Sequence, residues 1–78
     1  MTLKLKALNK NLIVKDTQKR DKDDVMEVVT FSFGDGVFGV SLGDRLLIKP
    51  DAGFRFAYLN GSFRRISVDD IIAITEHD

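Results

Sequence analysis

Apolar residues in this chain alternate with polar ones or cluster in short runs bounded by Gly, Asp and Asn, a period of strands rather than helices. Near the start, Leu3, Leu5 and Ala7 share one side of an extended segment and Lys4 and Lys6 the other, as in an edge or arm strand. A strand over Leu12–Lys15 leads into residues 16–24, which hold seven charged side chains and no apolar one and therefore form an exposed loop. From Val25 the alternation predicts a long strand. Val25, Val29, Phe31 and Phe33 take one face, Met26, Val28, Thr30 and Ser32 the other, and Glu27 interrupts the apolar stripe.

Turn chemistry divides the remainder. Gly34-Asp35-Gly36 predicts a tight turn returning the chain into Val37–Val40 as a short hairpin. Gly43-Asp44 opens a strand over Arg45–Lys49, which Pro50-Asp51-Ala52-Gly53 ends because proline cannot donate to a central ladder. Phe54–Leu59 and Ser62–Ile66 flank Asn60-Gly61, a strong hairpin signal. Ser67, with Asp70 three residues on, predicts a capped single helical turn before a last strand over Ile71–Thr75. Six or seven short strands at this spacing predict one all-β domain over residues 1–78, a small barrel.

Composition sharpens this picture at three points. A chain of 78 residues hides only about 60% of its unfolded surface, and without cysteine there is no disulfide to reinforce so thin a core. Oligomerisation is the natural reinforcement. The formal net charge is zero, yet residues 1–22 carry seven Lys or Arg against two acids and residues 23–78 five against ten. A dipole of this kind is no polycation, so nucleic acid is not the expected main partner. No segment has the apolar length of a signal-peptide core or a membrane span, and a cytoplasmic protein is expected.

The order of these pieces resembles the GroES co-chaperonin family. Residues 5–15, Leu-Lys-Ala-Leu-Asn-Lys-Asn-Leu-Ile-Val-Lys, are similar to the family's opening segment and first strand, with Ala7 in place of its Pro and Lys10-Asn11 in place of its Asp-Arg. Met26-Glu27-Val28-Val29 resembles its Gly-Glu-Val strand, and Val40–Ile48 its Val-x-x-Gly-Asp-x-Val strand. Asp51-Ala52-Gly53 and the Asn60-Gly61 hairpin fall where the family has a Gly-Gly turn and its next hairpin, and Ser67–Ile74 matches its C-terminal turn and strand.

The resemblance implies a GroES-like barrel that forms a ring, in the family a heptamer, and caps a larger ATP-driven chaperonin to assist protein folding. It implies a subunit interface in which the N-terminal strand (Leu3, Leu5, Ala7) pairs with a neighbour's C-terminal strand (Ile71, Ile72, Ile74). An apolar terminal strand left as an open edge is an aggregation hazard, which agrees. The family docks through a long Gly-rich loop after its first strand, and residues 16–24 are too short and too charged for that part. Contact with the chaperonin would then shift to Val25 and Met26. The reduced loops resemble co-chaperonins carried by some tailed phages. The alternative from another class is a ring-forming structural protein of a virion.

A third reading takes Phe54, Phe56 and Tyr58, with Arg64 and Arg65 on the partner strand, as a stacking platform for single-stranded nucleic acid. The preferred account of those rings is that they pack the barrel or a subunit interface. Catalysis finds little support: His77 is the sole histidine, and Asp23-Asp24 and Asp69-Asp70 are adjacent pairs that point apart in extended chain. Gly34-Asp35-Gly36 lacks the helix and lysine of a phosphate loop. No enzyme activity, cofactor or metal is expected.

Overall fold

A computed structural model describes residues 5–17 and 25–75. The fold is all-β. Six strands, β1 (Asn11–Asp16), β2 (Met26–Phe33), β3 (Arg45–Ile48), β4 (Phe54–Tyr58), β5 (Gly61–Ser67) and β6 (Ile71–Thr75), form one sheet in the order β4-β5-β1-β2-β3-β6. Every pairing is antiparallel. The sheet does not close among the described residues, because β4 and β6 remain its two edges.

One face of the sheet curls around the main core. Leu12 and Val14 of β1, Met26 and Val28 of β2, Leu46 and Ile48 of β3 and Ile66 of β5 meet there, with Val68 and Ile71 packed alongside. Side chains from β5 through to β6 reach a single cluster only if the sheet coils strongly. A second, smaller cluster lies on the outer face, where Ala7, Ile13 and Phe63 are buried and Leu5, Phe31 and Phe56 pack against them. Leu5 and Ala7 therefore share a face, as their alternation predicts, although residues 5–8 are irregular and not a strand.

The alternation in β2 is corrected by a bulge. Ile13 pairs with Ser32 but Val14 with Thr30, so Phe31 is the extra residue. Phe33 consequently joins the main-core face of Val28 and Thr30, while Phe31 reaches the outer cluster. The expected strand over Val37–Val40 is also absent. Val37 and Val40 both enter the main core, a spacing of three that no extended strand gives, and Gly39 between them has φ +82°. Residues 34–44 instead form a loop whose tip carries exposed Phe38 and Leu42.

Two tight turns fix the other end. The β4–β5 hairpin pairs Tyr58 with Gly61, so its turn residues are Leu59 (φ +47°) and Asn60 (φ +66°), one position earlier than the Asn60-Gly61 signal suggested. The capped turn at Val68–Asp70 forms as read: the Asp69 N–H donates to Ser67 Oγ at 3.2 Å, and the Ser67 N–H to Asp70 Oδ2 at 2.9 Å. Gly53 (φ +77°) immediately precedes β4, where any Cβ would overlap the Arg65 carbonyl oxygen.

Candidate functional site

Two surfaces stand out, one at each edge of the sheet. At the β6 edge, Ile71 pairs with Ile48 and Ala73 with Leu47, leaving Ile72 as a bulged residue with no place in the β3 register. Ile72 is 52% and Ile74 39% exposed, whereas Ile71 packs on the main core. The far side of β6 has no strand partner among the described residues. The other expected interface residues are distributed differently. Ala7 is buried within its own chain, its N–H donating to Ser32 Oγ at 3.1 Å, Leu5 leans on the outer cluster, and Leu3 lies outside the described residues.

The suggested chaperonin-contact pair is divided by the pleat. Met26 is a core residue, packed with Val28 and Ile48, which leaves only half-buried Val25 near the surface. Its neighbour Glu27 points to the opposite face, where it is buried and paired with Arg45 at 3.2 Å, so the interruption of the stripe holds β2 to β3. Residues 18–24, His77 and the Asp23-Asp24 pair lie outside the described residues. Asp69 and Asp70 sit in the capped turn.

At the β4 edge the outer face is aromatic and basic. Phe56 stacks on Phe63 (ring centroids 5.8 Å apart, 27° between planes), and Phe63 meets Phe31 at 5.1 Å. The flanking rings do not pack into the core of their own chain, for Phe54 is 62% and Tyr58 42% exposed. Register explains both: Phe54 faces Arg65 across the hairpin, and Tyr58 faces Gly61, which has no side chain to cover it. Lys15 places its Nζ 5.3 Å from the Phe63 ring. Beside Phe56 a cavity of about 160 Å³ is lined by Lys6, Ala7, Asn11, Ile13 and Arg65.

Arg64 takes no part in this surface. It is turned to the main-core side, where its Nη1 donates to the carbonyls of Pro50 (2.8 Å) and Ala52 (2.7 Å) and its Nη2 lies 3.6 Å from Asp16. Asp16 also meets Arg55, directly opposite Arg64 in the hairpin, at 3.7 Å and so neutralises a like-charged cross-strand pair. Lys15, Lys6, Phe31 and Phe63 escaped the sequence reading of the platform. Strand alternation alone could have placed Phe63 and Arg65 on one side of β5, but the β2 bulge that delivers Phe31 leaves no mark in the sequence. Among the described residues no three His, Asp or Glu side chains gather as metal ligands, and no helix is long and apolar enough to cross a membrane. No protein-family model matches the chain, and no curated protein matches it.

Proposed function

We propose that this chain is the subunit of a homo-oligomeric ring of the co-chaperonin kind, joined through the open edge of β6, and that the ring caps a larger ATP-driven chaperonin. The observation that carries assembly is the run Ile72-Ala73-Ile74, exposed on an edge strand with no partner on its far side among the described residues. An exposed apolar edge invites another strand, and a neighbour's strand satisfies both its backbone groups and its side chains. The segment offered is the neighbour's N-terminal one, with Leu3, Leu5 and Ala7 as the residues the sequence reading assigns to the contact. The capping role is supported by the resemblance of the strand and turn order to the GroES co-chaperonins.

Native mass spectrometry of the protein alone, and mixed with a bacterial chaperonin and nucleotide, tests both parts. Rings that bind the chaperonin only with nucleotide are the expected result, and Ile72→Lys should reduce them to monomers. A ring that never docks would overturn the capping role in favour of a structural ring, and a monomer at micromolar concentration would overturn assembly as well.

A further inference from the structure

The β4 edge carries an arrangement that ring assembly through β6 does not use. Three aromatic side chains, Phe54, Phe56 and Tyr58, follow one another at every second position of β4 on the outer face. Successive rings on one side of a strand are separated by about 6.6 Å, close to the reach of one nucleotide in an extended strand. Phe56 is held in place by stacking on buried Phe63, while Phe54 and Tyr58 keep their surfaces open. Lys6, Lys15 and Arg65 surround these rings, and none of the three has an ion-pair partner among the described residues. Asp16, which lines a pocket with Phe56 and Phe63, is already engaged by Arg55 and Arg64.

From this we infer that the outer face of the β4–β5 hairpin binds single-stranded nucleic acid, stacking bases on Phe54, Phe56 and Tyr58 and holding phosphates with Lys6, Lys15 and Arg65. Flat rings at strand spacing suit unpaired bases, whose faces are alike enough for recognition to be largely independent of sequence. Local charge complements a polyanion even though the chain as a whole is neutral. A duplex can meet the cations through its phosphates but cannot use the rings, since its bases are not free to stack on a side chain. The rings lie at the opposite sheet edge from β6, and of the residues invoked only Lys6 belongs to the N-terminal segment offered in the proposed assembly.

Fluorescence anisotropy with a labelled twenty-nucleotide oligo(dT) or oligo(rU), against a duplex of equal length, tests it. Binding of both single strands in preference to the duplex is expected. Three phosphate contacts give a slope of log K against log salt of about −2, and Arg65→Ala should bring it to about −1.4. Phe54→Ala and Tyr58→Ala should each weaken binding about tenfold. Both side chains lie outside the buried clusters, and circular dichroism would verify that the variants fold. No salt-dependent binding at about 100 µM protein, the weak end of non-specific association, would overturn the inference. So would binding that ignores both aromatic substitutions, or a drop in oligomer size in those variants, which would make the face an interface between copies.

Discussion

Replacing Arg64 by Met keeps an unbranched apolar stem in the main core and removes the guanidinium alone. That group makes two hydrogen bonds, to the Pro50 and Ala52 carbonyls at 2.8 and 2.7 Å, from a side chain only 3% exposed. Hydrogen bonds to a charged donor each contribute about 1.5–3 kcal/mol, so losing both gives roughly 3–6 kcal/mol as an upper bound. Three effects reduce it. The buried Nε of Arg64 has no hydrogen-bond partner among the described residues, so its removal relieves an unsatisfied donor. Pro50 and Ala52 are only half-buried, so water can take over part of the lost bonding, and the variant no longer has to desolvate a cation. A net loss of about 2 kcal/mol is expected for Arg64→Met. Arg64→Ala should lose about 3–5 kcal/mol, because it also leaves a cavity. Against a total of roughly 4–12 kcal/mol for a domain this size, the alanine variant should lose at least about a quarter of its stability. Urea denaturation followed by circular dichroism measures both. If Arg64→Met is as stable as the native chain to within about 0.5 kcal/mol, the idea that this arginine ties the turn at Pro50 to β5 is refuted.

Two further substitutions should stabilise. Thr30 is buried in β2 and its hydroxyl has no hydrogen-bond partner among the described residues, so Thr30→Val should gain about 1 kcal/mol by removing an unsatisfied polar atom; a lower thermal midpoint would disprove that reading. Leu59 holds φ +47° at an exposed turn position, where an L-residue with a bulky side chain is strained, so Leu59→Gly should gain about 1 kcal/mol, and an unchanged melting curve would show the turn to be unstrained.

How legible the fold was depends on how local its determinants are. The Ser67–Asp70 capped turn and the strand Ile71–Thr75 were readable because each depends on residues within four positions of one another. The hairpin was readable in place but not in register, since Leu59 offers no sign that it tolerates positive φ. Val37–Val40 reads as a strand by composition and is a loop because Gly39 redirects the chain between two core contacts. The bulge at Phe31 depends on how β1 meets β2, and pairing partners cannot be read from either strand alone. The two candidate surfaces follow the same rule. Aromatic alternation in β4 was visible and the exposure of Phe54 and Tyr58 follows from the register of its own hairpin, whereas the inward turn of Arg64 and the approach of Lys15 and Lys6 come from elements further off in sequence.

The position of β1 between β2 and β5 also sets when this chain can fold. Asn11 pairs with Ser67 and Val14 with Arg64, so a strand near the beginning of the chain is completed by one near its end. Closing so long a loop costs entropy before any contact compensates for it. During synthesis β1 can pair with β2 as soon as residue 33 has emerged, but its other edge stays bare until β5 follows. Over that interval, between the appearance of β2 and that of β5, the nascent chain presents Leu12, Ile13 and Val14 on an unpaired edge and is most open to wrong pairings.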